Sequence, residues 1–206
     1  MDSFDSIYSK PGIAPWTYKK IPSELVKIVK DKLIQKDSNI LEIGCGEGHG
    51  AIFFAKKGYF VTAIDSSEKA IMIAENNALK ENLHIDFKVM KWSDISSFKQ
   101  KFDFIFDWRF LHEIIDGNER NSYLENIYSL LKSNGKYLSV HFSGDSSFMG
   151  SGKIRKSPVG INIYFSTLKE SKALIGSIFK ILESKHIIVP QKPNLKILAN
   201  YVLAEK

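Results

Sequence analysis

The chain has 206 residues, 44% of them hydrophobic and 25% charged, which suits one well-cored globular domain rather than a disordered chain or two ordinary domains. Cys45 is the only cysteine, which excludes an intramolecular disulfide and a cysteine-rich metal site; no apolar run approaches the ~20 residues of a membrane span, and the acidic start MDSFDSIYSK has no apolar h-region, so a reducing cytoplasm is the expected compartment. The net charge of +6 rests on scattered lysines and only three arginines, a pattern of solvated surface that argues against a nucleic-acid face.

No repeat, low-complexity tract or Pro/Gly-rich linker interrupts residues 1–206, so they read as one domain, with 1–38 as a helical cover at the N-terminus. The first strand is expected at Asn39–Ile43, followed by a helix over Ala51–Lys57. A second strand, Phe60–Ile64, leads to a helix over Glu68–Leu79, and a third strand lies at Ile85–Val89. Phe102–Phe106 and Lys136–Phe142 are the fourth and fifth strands. The helix between them, Glu119–Leu131, carries Tyr123, Ile127, Leu130 and Leu131 on one face, and Asn134-Gly135 is expected to close it as a left-handed cap. Strand alternating with helix predicts a parallel sheet covered on both faces.

After residue 144 the pattern changes. The Gly- and Ser-rich stretch from Gly144 to about residue 165 is expected as an insertion that serves as a mobile substrate lid. Thr167 and Glu170 have the spacing of a capping box, which opens a helix running to about Ile175. Phe179–Val189 and Leu195–Leu203 are separated by too few residues for a crossover helix, so they should form an antiparallel hairpin.

The segment ILEIGCGEGHGAIFFAKKGYFVTAIDSS, beginning at Ile40, carries most of the functional information. A strand ends in the turn Gly44-Cys45-Gly46-Glu47-Gly48, where glycine lets the backbone turn sharply and approach a ligand. The next strand ends in Asp65, placed to accept hydrogen bonds from two ribose hydroxyls. This order recognises an adenosine nucleoside at the carboxyl edge of the sheet. A dinucleotide fingerprint would need glycine at position 49, where His49 stands, and Glu42 is a poor neighbour for a phosphate.

LEIGCGEG, IDSS at Ile64–Ser67, WSDI at Trp92–Ile95, FDFIFDWRFLHEI from Phe102 and LLKSNGKYLSV stand in the order of the class I S-adenosylmethionine (SAM)-dependent methyltransferase motifs, and the chain resembles that superfamily over nearly its whole length. GIAPWTYKKIPSELV and the cluster Asp107-Trp108-Arg109 with His112 are similar to the small-molecule branch that includes thiopurine, thiol and tellurite-resistance methyltransferases. The resemblance implies a Rossmann-like α/β sandwich with a seven-stranded, mostly parallel sheet in the order 3-2-1-4-5-7-6 and a C-terminal antiparallel hairpin. It implies SAM as cofactor, a small-molecule methyl acceptor (thiol, hydroxyl or amine), no metal and no membrane. The implied cofactor-binding residues are Trp16, Glu42, Gly44, Cys45, Gly46, Gly48, Asp65, Ser66, Ser93, Asp94, Ile95, Asp107 and Trp108. Trp16 and Trp108 would offer aromatic faces to a sulfonium, an attraction of ~0.5–2 kcal/mol. In that strand order His112 and His141 fall near the carboxyl ends of adjacent strands, where either would take a proton from the acceptor as a catalytic base.

The chain lacks the N/D-P-P-Y motif of many amino-group methyltransferases, the Pro-Cys nucleophile of cytosine C5 enzymes and the cysteine set of arsenite enzymes. The rival readings are an RNA or protein methyltransferase, an NAD-dependent oxidoreductase and a non-catalytic SAM-binding protein.

Overall fold

The short runs of Ile, Val and Phe pair into one sheet because each must bury both of its faces. The computed structural model describes residues 3–8, 14, 17, 20–192 and 195–206. Strands β1 (Asn39–Ile43), β2 (Phe60–Asp65), β3 (Asp86–Val89), β4 (Phe102–Trp108) and β5 (Leu131–Phe142) run parallel. Within the inserted segment, β6 (Ile154–Lys156) and β7 (Asn162–Tyr164) form a separate antiparallel ribbon. The chain returns as the hairpin β8 (Lys180–Lys192) and β9 (Leu195–Glu205). The sheet order is β3-β2-β1-β4-β5-β9-β8, which is 3-2-1-4-5-7-6 when only the strands of this sheet are numbered. Antiparallel β9 sits beside β5, with Val140 opposite Tyr201.

Helices α1 (Ser3–Tyr8) and α2 (Ser23–Lys30) precede the sheet, and α3 (His49–Ala55), α4 (Glu68–Lys80), α5 (Gly117–Leu130) and α6 (Leu168–Gly176) connect its strands. None of the described helices is long and apolar enough to cross a membrane. Period-two alternation along β4 sends Phe104 and Phe106 to one face and Ile105 to the other. The first face packs with Leu25 and Ile28 of α2 and Phe54 of α3, the second with Tyr123, Leu124 and Ile127 of α5 and Ile175 of α6. Two apolar layers around one sheet fix the carboxyl ends of β1, β2, β4 and β5 at a common edge.

Local chemistry sets the helix starts. The Ser67 hydroxyl accepts the Ala70 amide at α4, the Asp116 carboxylate accepts Asn118 and Glu119 amides at α5, and Thr167 with Glu170 forms the expected capping box at α6. The end of α5 differs from expectation. Asn134 is left-handed, with φ 62°, but it does not cap the helix. The helix stops at Leu130 because Leu131 is already extended and buried, pairing with Phe102, and Asn134 turns the chain four residues later.

Candidate active site

A cavity of about 740 Å³ opens at this common edge. The sharp turn after β1 forms its floor. Gly44, Gly46 and Gly48 have φ of 69°, 52° and 77°, a region that glycine enters without strain. The Cys45 amide donates to the Ile64 carbonyl, which ties the turn to β2. A Cβ on Gly44 would lie 2.6 Å from the Phe110 ring, and one on Gly46 would lie 2.9 Å from the Tyr8 hydroxyl. Both glycines therefore admit the close approach of an aromatic side chain, Phe110 on Gly44 and Tyr8 on Gly46, in a turn that lines the cavity. Gly48 has another purpose. Its Cβ would strike Ala74 and Phe87, and it does not line the cavity; it lets α3 start against α4 and β3.

Asp65 closes β2 and lines the same cavity. One carboxylate oxygen accepts the Gly46 amide and the other the Ser67 amide, each at 2.9 Å. The acid is thus oriented by the glycine turn on one side and the start of α4 on the other. Ser66 and Ser93 line the cavity beside it.

Glu42 is the most unusual group in the wall. It is buried, its Oε2 has no hydrogen-bond partner among the described residues, and burial with the nearby Asp65 charge pushes its carboxyl up to about 8. An orphaned buried carboxyl oxygen is costly unless a ligand satisfies it. A ligand with an ammonium for Glu42 and hydroxyls for Asp65 fits this donor–acceptor set, and the amino-acid and ribose ends of SAM carry those groups. Cys45 lies between the two acids. Burial, then Asp65 and Glu42, hold its thiol well above the ordinary value, so it is a neutral wall and not a nucleophile.

The rest of the wall belongs to β4, which runs beside β1, to β5 and to the insertion. Half-buried Trp108 and Arg109 line it, with His112 beneath them and Phe142 alongside. Arg109 adopts φ 70°, and its guanidinium lies 5.1 Å from the Phe142 ring centre. Burial lowers the Arg109 group to about 10, with Glu113 acting the other way, so it stays cationic at neutral pH. The insertion adds Phe148, Met149, Pro158, Val159 and Ile161. Its ribbon is held by Arg155, whose guanidinium donates to the carbonyls of Ser146 and Phe148 at 2.7 Å and lies 4.1 Å from the Phe165 ring centre.

Several expected residues stand elsewhere. Asp107 is fully buried and does not line the cavity. Its carboxylate accepts hydroxyls from Tyr123, Tyr137 and Ser139 and the Leu111 amide, a knot joining β4, β5 and α5. Burial raises it to about 6 despite those donors. Its expected cofactor contact is therefore replaced by a structural role. His141 also faces away from the cavity, with Nδ1 3.1 Å from the Ser139 hydroxyl and Nε2 2.8 Å from that of Ser171. Burial holds it down to about 4, so it is a neutral packing residue and not a base.

His112 does line the cavity, with one ring nitrogen already engaged. Its Nδ1 accepts the Phe142 amide at 3.2 Å, and its ring stacks on Phe142 at 4.3 Å. In the neutral ring the lone pair is then on Nδ1 and the proton on Nε2. A second proton would face the Phe142 N–H, and burial and Arg109 keep the group well below its ordinary value. His112 offers a donor.

Asp94 is exposed and accepts the Ser93 hydroxyl at 3.0 Å, while Ile95 is buried in the core; neither lines the cavity, although Trp92 and Ser93 of the same turn do. Trp16 lies outside the described residues. Tyr8 was not foreseen: α1 places it over the glycine turn, and Asp5 one turn earlier accepts the Ser67 hydroxyl at 2.6 Å. The aromatic pair Phe4 and Tyr8, four residues apart, was the available signal.

Residues 40–135 match the methyltransferase domain family. A ubiquinone biosynthesis O-methyltransferase of Coxiella burnetii (strain Dugway 5J108-111) is 29% identical over 111 residues, covering 54% of this chain and 46% of the relative. The chain thus spans about half the length of the curated relatives it matches. The crystal structure of a SAM-dependent methyltransferase from Methanosarcina mazei superposes with a TM-score of 0.73 and 25% identity, covering 86% of this chain and 96% of the other. The Burkholderia thailandensis 1,6-didemethyltoxoflavin-N1-methyltransferase, solved with S-adenosylhomocysteine (SAH) bound, has a TM-score of 0.69 at 21% identity and covers 89% and 76%.

Proposed function

We propose that this chain is a class I SAM-dependent methyltransferase that transfers the SAM methyl group to a small-molecule acceptor, a reading supported by the match at residues 40–135 and by the sheet order. The observation that carries the reading is one cavity lined by the glycine turn, Asp65, Glu42 with its unsatisfied carboxyl oxygen, and aromatic side chains. Glu42 would hold the ammonium of the cofactor, Asp65 its ribose hydroxyls, and Ser66, Ser93 and the Gly44–Gly46 backbone the remaining surface. Bound SAM supplies a methyl on a sulfonium, whose departure as a neutral thioether needs no acid. The chain's residues then align the acceptor and exclude water, which is where the barrier is lowered.

A small acceptor is supported by the size of the site. Phe148 and Met149 of the insertion and Tyr8 of α1 line the same cavity as the glycine turn, and its volume of about 740 Å³ is of the size that takes a cofactor with a small acceptor. The relatives named as a ubiquinone biosynthesis O-methyltransferase and a 2-heptyl-1-hydroxyquinolin-4(1H)-one methyltransferase are in keeping with it. The insertion at 144–165 is the lid of that cavity. The test is binding of SAM followed by methyl transfer from labelled SAM across phenols, thiols and amines; SAM binding with turnover of a small acceptor is expected, and turnover only of RNA or protein would overturn the small-molecule reading.

A further inference from the structure

The ends of β4 and β5 bring further donor side chains to the same cavity. Two side chains with N–H groups each contact the Phe142 ring. Arg109 places its guanidinium 5.1 Å from the Phe142 centroid, and His112 stacks on the same ring at 4.3 Å. The Phe142 amide occupies His112 Nδ1, which leaves Nε2–H as the group the imidazole can present. Around them the wall is apolar: Trp108, Phe110, Phe148 and Met149.

Resting on the methyl-transfer reading above, we infer that the Arg109–His112–Phe142 wall receives the methyl acceptor as a small aromatic oxyanion, with His112 donating a hydrogen bond to it. A flat apolar ring matches the aromatic wall, and a hard oxyanion matches two N–H donors better than a thiolate, because sulfur is a weak acceptor. No base then has to remove a proton, since the acceptor arrives without one. The acceptor oxygen forms the new bond to the methyl carbon, the carbon–sulfur bond breaks, and its electron pair stays on sulfur. An anion and a sulfonium become a neutral ether and a neutral thioether, and no proton moves.

The charged groups around this wall bear on the proposal. Glu113 and Tyr8 act on Arg109, and Arg109 and His141 act on His112. Glu119 and Lys20 are exposed at the rim, while Glu42 and Asp65 belong to the glycine-turn end. Glu113 is therefore the acid that competes with the acceptor for Arg109, and removing its charge should tighten acceptor binding.

The test uses the full chain saturated with SAH and para-nitrophenol, whose colour reports its ionisation. Calorimetry first establishes that SAH binds; without SAH binding the methyl-transfer reading falls, and this inference with it. With SAH bound, the bound nitrophenol should ionise at a pH at least one unit below the free compound. Arg109→Leu and His112→Leu should each diminish that shift, Glu113→Gln should enlarge it, and His112→Gln should keep most of it, since an amide still donates but cannot serve as a base. The kcat/KM profile for a series of phenols should follow each phenol's own ionisation. If SAH binds yet nitrophenol fails to bind, or its ionisation is unshifted or displaced upward in the wild-type chain, the oxyanion proposal is overturned while the cofactor reading stands.

Discussion

The carboxylate of Glu42 lies against Gly50, so close that a Cβ on that glycine would sit 2.4 Å from Oε1. Gly50 is in the first turn of α3 and has no positive φ, so replacing it with alanine should favour an ordinary helix by ~0.5–1 kcal/mol. Here the sign should reverse. Gly50→Ala must displace a buried carboxyl, and thermal unfolding is expected to show loss of stability together with weakened SAH binding. A Gly50→Ala chain that is more stable and binds SAH normally would show that Glu42 is not held as described.

Glu42 also predicts a pH dependence. Its native carboxyl keeps a proton to about pH 8, whereas an unfolded glutamate releases it near 4.5. Between those values the native state binds more protons than the unfolded state, so stability should fall as pH rises, by up to ~1.4 kcal/mol per unit. Glu42→Gln should flatten that slope in denaturant titrations. If SAM's ammonium pairs with an ionised Glu42, binding near pH 7 should release a proton, seen as a buffer-dependent calorimetric heat that Glu42→Gln abolishes.

Asp107 separates structure from cofactor binding. Asp107→Ala would leave the buried hydroxyls of Tyr123, Tyr137 and Ser139 without their common acceptor, a loss of ~2–4 kcal/mol in unfolding free energy. SAH affinity of the folded fraction should stay near that of the wild type. A stable Asp107→Ala chain with lost SAH binding would restore the cofactor role that the sequence suggests.

Which parts of this site could be read from the sequence follows from what was local. The glycine turn, Asp65 and the hairpin are short-range patterns, and each stands where its spacing implies. The surroundings of Asp107, His141 and His112 depend on partners thirty residues away in sequence, namely Tyr137, Ser171 and Phe142. A histidine at a strand's carboxyl end looks the same in sequence whether its ring nitrogens face a cavity, a serine hydroxyl or a backbone amide. Asn134 shows the same limit at the backbone level, since a left-handed residue marks a turn without saying whether the helix has already ended. Tyr8 reaches the glycine turn through α1, which no motif covers.

The insertion should respond to its arginine. Arg155 gathers the carbonyls of Ser146, Phe148 and Gly152 beneath the ribbon. Arg155→Ala should speed proteolytic cleavage within 144–160 severalfold without altering SAH affinity, and cofactor with acceptor should slow cleavage in the wild-type chain. Equal cleavage of that stretch in the liganded and unliganded wild-type chain would contradict a lid.

The most direct measurement of the central claim is calorimetric titration of SAH and of NAD into the wild-type chain and Asp65→Ala. Charge-assisted hydrogen bonds to ribose contribute ~1.5–3 kcal/mol each, so Asp65→Ala should weaken SAH by about one to three orders of magnitude. Wild-type chain that binds SAH, loses that affinity with Asp65→Ala and ignores NAD is the predicted result. Tight NAD binding with no heat from SAH, or SAH affinity unchanged in a folded Asp65→Ala chain, would contradict it.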